Sequence, residues 1–143
     1  MMKKFILLSL LFGICCAAVS CHTYSEEYVP SKEIELSQEE VHFKEGGGDI
    51  SIKCLNYSFW MIAVLLEWGQ DGADNIYYPV DYSDNGNHQE AVGDGIKVMV
   101  DDNNREDGVS SVRIIVDPCT KHRSWKLSMN CVDVFTSIRI SQN

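Results

Sequence analysis

In Val41-His42-Phe43-Lys44-Glu45-Gly46-Gly47-Gly48-Asp49-Ile50-Ser51-Ile52-Lys53-Cys54, apolar residues take every second position on both sides of a glycine triplet. Successive side chains of a strand point to opposite faces, so each half has one face for a core and one for water. Three consecutive glycines let the backbone reverse through positive φ, and the spacing predicts a β-hairpin with a loop longer than the tightest turns. Cys54 shares the inward phase of Ile50 and Ile52 and is expected as a buried thiol.

Working outward, the alternation recurs. Ile34-Glu35-Leu36-Ser37 precedes the stretch, and Phe59-Trp60-Met61-Ile62-Ala63-Val64-Leu65-Leu66 follows it as an apolar run. A helix of this length is possible, but its β-branched and aromatic content and the flanking strands favour a strand buried on both faces, with Trp60 in the core. Residues 69–95 are dense in turn formers, and only Ile76-Tyr77-Tyr78-Pro79-Val80 reads as an edge strand, with Pro79 at its limit. Strand character returns at residues 96–100, 112–116, 125–131 and 135–140, and residues 118–130 read as an added hairpin. The sum is an all-β chain, an immunoglobulin-like antiparallel β-sandwich of seven or eight strands. A length of 143 residues supports one such domain.

Ahead of it, Met1-Met2-Lys3-Lys4 and the apolar run at residues 5–19 have the form of a secretory signal, too short for the roughly 20 residues a membrane span needs. Ala18-Val19-Ser20-Cys21 resembles the lipobox of bacterial lipoproteins, which implies lipidation of Cys21 after removal of residues 1–20. A plain secretory signal with an incidental cysteine is the alternative. Residues 21–32 then form a lipidated, flexible tether and residues 33–143 the domain. Ser25-Glu26-Glu27 resembles the acidic export signal of Bacteroidetes surface lipoproteins, and equally reads as solvated linker. Cleavage removes Lys3 and Lys4, leaving 10 basic residues against 21 acidic and a net charge of −11. That charge repels nucleic acid and anionic lipid, so membrane attachment falls to the acyl chains.

Residues 34–37, 41–43, the glycine triplet, Trp60, residues 96–100 with Asn103, Asn104 and Arg105, and the closing Ser137-Ile138-Arg139-Ile140-Ser141-Gln142 resemble the BACON domain, an immunoglobulin-like module of Bacteroidetes proteins. The resemblance implies a non-catalytic module that binds carbohydrate, and with the lipobox it makes the expected protein an extracytoplasmic lipoprotein of the outer membrane, facing either the periplasm or the cell surface. A spacer or protein-interaction role within an envelope complex is the alternative. It transfers no binding site, because the family lacks a fixed ligand motif.

Aromatic faces and planar polar side chains hold sugar rings. Trp68, Tyr77, Tyr78, Tyr82 and Trp125 are the aromatics near turns, with Asp71, Asp74, Asn75 and Asn87 as polar partners, and each is equally a packing or loop residue. Asp81-Tyr82-Ser83-Asp84-Asn85-Gly86 opens like a calcium loop, but Val92 stands where the bidentate glutamate belongs, and an Asx-rich turn is the better reading. Cys119 and Cys131 flank the added hairpin and are candidates for a disulfide. His22, His42, His88 and His122 are too scattered for a metal site. No nucleophile elbow, His-Glu metal pair or phosphate loop occurs, so no enzyme and no cofactor are expected.

Overall fold

The computed structural model describes residues 32–101 and 110–143, which fall in the unit Ser31–Asn143. The signal, Cys21, most of the tether and the run Asn103-Asn104-Arg105 lie outside these residues. Ten strands follow in order: β1 Glu40–Phe43, β2 Gly48–Cys54, β3 Met61–Glu67, β4 Ile76–Tyr78, β5 Val80–Ser83, β6 His88–Gly93, β7 Ile96–Val100, β8 Ser110–Val116, β9 Arg123–Cys131 and β10 Val134–Gln142.

Period-two burial is carried through. In β7 and β8 every second side chain is buried, as are Trp125, Leu127 and Met129 of β9, and the inward set of both sheets forms one core around Trp60, Ile62, Leu65, Val98, Ile114, Trp125, Leu127 and Ile138. The strands make two five-stranded sheets, β1-β10-β9-β3-β4 and β2-β8-β7-β6-β5. The immunoglobulin-like sandwich is therefore present, with ten strands among the described residues in place of seven or eight. Its pairings are antiparallel except β1 with β10, which is parallel.

Three local expectations are corrected. The glycine triplet does not close a hairpin: β1 belongs to the first sheet and β2 to the second, and the turn carries the chain between them. Gly47 has φ +72°, and a Cβ there would stand 2.2 Å from the Val116 carbonyl oxygen, so the crossing needs glycine for both conformation and space. Residues 34–37 form no strand of their own; Leu36 makes a single bridge to Cys54. The added hairpin at residues 118–130 is a loop followed by the unbroken strand β9.

The turn-rich segment at residues 80–93 hides a hairpin, β5 with β6. At Pro79 the chain leaves the edge of the first sheet and enters the edge of the second, a corner where the missing N–H costs no ladder bond. The calcium-loop-like run is the end of β5 plus a tight turn in which Asp84, Asn85 and Gly86 have φ of 50°, 53° and 83°.

Candidate functional site

At the end of β3, alternation sends neighbouring residues to opposite sides. Glu67 lies opposite Trp125 and faces inward, and Trp68 follows it outward. Each belongs to a separate concave surface.

Glu67 forms the floor of the larger one, an open cleft of about 1230 Å³ where the β1–β2 crossing, the β3–β4 loop, the β6–β7 turn and the β8–β9 loop converge. Its walls carry Glu45, Gln70, Asp71, Asp94, Lys121 and His122, and Arg123 rises beside Glu67. Arg123 donates to Glu67 Oε1 through Nη2 at 2.9 Å and Nε at 3.2 Å, and also to the Asp94 carbonyl oxygen. Its guanidinium lies 5.0 Å from the centroid of the Trp125 ring. Tyr78 donates its hydroxyl to Glu67 Oε2 at 2.5 Å. Burial opposes the Arg123 charge, but the hydrogen bonds and charge of Glu67, with Asp94 adding, prevail and raise its pKa. Burial, then the bond to Glu67, raises the Tyr78 hydroxyl. Gly95 leaves the slot for this arginine, since a Cβ there would come within 2.4 Å of Nη1. The floor is thus a hydrogen-bonded polar group of alternating charge.

Trp68 sits on the outer face of the first sheet, 43 % exposed, with its backbone N–H donated to the Ser124 carbonyl at 3.0 Å. It borders two shallow grooves. One, of about 380 Å³, is lined by Glu39, Lys126, Ser137 and Arg139, and the other, of about 640 Å³, includes His42, Ser124, Arg139 and Ser141. Arg139 pairs with Glu40, and His42 Nδ1 is 2.9 Å from Ser141 Oγ. Tyr77, 69 % exposed, stands on the same face, one strand over and opposite Leu66. The shelf offers two aromatic surfaces over a bed of serine hydroxyls, carboxylates and cationic side chains.

The predicted site residues therefore scatter. Trp68 and Tyr77 share the outer face, and Asp71 lines the cleft. Tyr78 is half-buried with its hydroxyl committed to Glu67. Trp125 is 1 % exposed and belongs to the core, so although it borders the 640 Å³ groove it offers no open ring face for stacking. Tyr82, on β5, pairs with Gln89 of β6 and donates to the Ile62 carbonyl. Asn75 accepts the Gly69 N–H at 2.8 Å and staples the β3–β4 loop, on which Asp74 is exposed. Asn87 closes the Asp84–Gly86 turn, whose glycine packs on Phe59 ahead of β3, at the other end of the sandwich from the cleft. Cys119 and Cys131 are unbonded thiols. β9 runs between them, about 26 Å at 3.3 Å per residue, whereas a disulfide needs Cα atoms within roughly 7 Å.

Sequence reading missed Glu67 and Arg123. Their signal was a charge in the inward phase of a strand: Glu67 two residues after Leu65, and Arg123 two before Trp125.

No protein-family model matches the chain, and no curated protein is significantly similar to it. Among solved structures, an NMR structure of a protein from Bacteroides thetaiotaomicron is similar in fold, with a TM-score of 0.55 and 17 % identity over 83 % of this chain and 93 % of that one. That likeness extends to the fold alone.

Proposed function

We propose that the protein is a non-catalytic lipoprotein of the outer membrane, held by acylated Cys21 and reaching toward the cell exterior, whose sandwich binds carbohydrate across the outer face of its first sheet. The observation that carries this reading is Trp68, a large ring left half in water between two polar grooves, with Tyr77 beside it. An aromatic face takes the C–H side of a sugar ring, and planar polar groups such as the Arg139 guanidinium and the Glu39 carboxylate meet its hydroxyls at fixed spacing. The resemblance of the sequence to the BACON domain supports a surface binding module. On a glycan array probed with the full chain, Trp68→Ala and Tyr77→Ala should each weaken binding at least about tenfold, which is about 1.4 kcal/mol, without moving the thermal midpoint. Unchanged binding by Trp68→Ala, or no bound glycan, would remove the reading. Fatty-acid labelling should disappear in Cys21→Ser.

A protein-contact role draws on a different place. Leu55, Val132 and Phe135 are 48 %, 85 % and 69 % exposed at the end of the sandwich away from the cleft. Capture of an envelope partner that is lost in Phe135→Ser but kept in Trp68→Ala would favour that role.

A further inference from the structure

Two thiols face the interior at the end of the sandwich opposite the cleft. Cys54 is the last residue of β2 in the second sheet, in the inward phase of Ile52, and is fully buried. Cys131 is the last residue of β9 in the first sheet, in the inward phase of Leu127 and Met129, and is partly open to solvent. The connection from β2 to β3 closes this end: it leaves at Cys54 and returns at Met61, which pairs with Asn130, next to Cys131.

We propose that Cys54 and Cys131 form a disulfide that ties the two sheets together across the core, leaving Cys119 as the free thiol at the cleft end. The Cys54 thiol makes a weak 3.8 Å contact to Asn56 Oδ1, so little is lost when it turns to a new partner. Tyr57 lies on the β2–β3 connection at this end, and burial first, then Cys131, Asp133 and Cys54, raises its hydroxyl. Both thiols are unbonded in the structure, and a disulfide between inward cysteines of opposite sheets is a known tie in immunoglobulin-type sandwiches, whose sheets lie roughly 10 Å apart.

The chemistry is thiol–disulfide exchange with a low-molecular-weight or protein disulfide as oxidant. Cys131, the accessible thiol, loses its proton, and its sulfur attacks one sulfur of the oxidant, breaking the oxidant's S–S bond and releasing one thiol. Cys54 loses its proton and attacks the Cys131 sulfur of the mixed disulfide, forming the inter-sheet bond and releasing the second thiol. Two protein thiols are oxidised and one oxidant disulfide is reduced.

The test uses the full chain carrying Cys119→Ser, and the same chain with Cys54→Ser or Cys131→Ser added. After equilibration with oxidised glutathione and alkylation in denaturant, peptide mapping should recover residues 54 and 131 in one linked fragment. Reduction should lower the thermal midpoint of the Cys119→Ser chain by roughly 10 °C and leave both double variants unmoved. Alkylated Cys54 and Cys131 would overturn the proposal. So would a shift on reduction that is the same in all three chains. In the unsubstituted chain, a linked fragment containing Cys119 would overturn it as well.

Discussion

Gln89 has no exposed surface, yet it lies in the core phase of β6. β3 bulges between Ile62 and Val64, which disturbs its ladder with β9. Gln89 repairs that disturbance from the facing sheet. Its Oε1 accepts the Ile62 N–H at 2.7 Å, while Nε2 donates to the Trp60 carbonyl at 2.9 Å and the Gly86 carbonyl at 2.7 Å. Gln89→Leu removes all three bonds and strands the buried Ile62 N–H, and urea unfolding should show a loss of about 2 to 3 kcal/mol with the slope unchanged. The Arg123–Glu67 pair makes the same point with charge. Both side chains are 14 % exposed, so removing the arginine strands a carboxylate in a poorly solvated place. Arg123→Ala should cost about 2 to 3 kcal/mol. Glu67→Gln should cost less, because an amide still accepts from Tyr78, and a double-mutant cycle would show strong coupling between the two positions.

At the scale of the element, two turns carry opposite kinds of conformational fit. The β1–β2 crossing suits its residue: Gly47 has positive φ and no room for a Cβ, so Gly47→Ala should destabilise the domain by at least about 2 kcal/mol. The two-residue β9–β10 turn does not. Cys131 pairs with Val134, and between them Val132, a β-branched residue, sits at φ 55° and 85 % exposed. A valine in that region is strained by about 1 to 2 kcal/mol, partly offset in glycine by the entropy of the unfolded chain. Val132→Gly should therefore raise stability by about 0.5 kcal/mol, seen as a higher denaturation midpoint, and a lower midpoint would show that the side chain makes a contact worth more than the strain. The edges follow a similar economy. β4 has three residues and β5 four, and the Pro79 corner between them leaves little open ladder for another chain.

Across the whole molecule, the pH response is set by phenols as well as by the acidic surface. Burial is the first cause raising Tyr57, Tyr78 and Tyr82, reinforced at Tyr78 by its bond to Glu67 and at Tyr57 by neighbouring thiols and Asp133. A hydroxyl with a raised folded-state pKa keeps its proton longer in the folded than in the unfolded chain. Stability from these groups is complete below the unfolded value of about 10 and is lost as pH climbs through the folded values. Unfolding followed against pH should show an alkaline decline beginning near pH 10, flatter in Tyr78→Phe and Tyr82→Phe. An identical decline in those variants would place the effect elsewhere.

The alternation in residues 41–54, 96–100, 112–116 and 125–131 was enough to determine an all-β sandwich and most of its core, because which face a strand residue takes is a local property with a period of two. Gln89 escaped that reading, being a polar residue in an inward position, and the β5–β6 hairpin escaped with it under a cover of turn-forming residues. Partners were decided only by the tertiary structure. Val41 and Ile52 show the same pattern whether β1 pairs with β2 or lies beside β10 in the other sheet. Trp68 and Trp125 are equally apolar on paper, yet one stands in water and the other in the core. Cys131 is nearer Cys119 in sequence, yet β9 carries it to the end occupied by Cys54. Alternation states which side a residue faces, and only the packing of sheet on sheet states what it faces there.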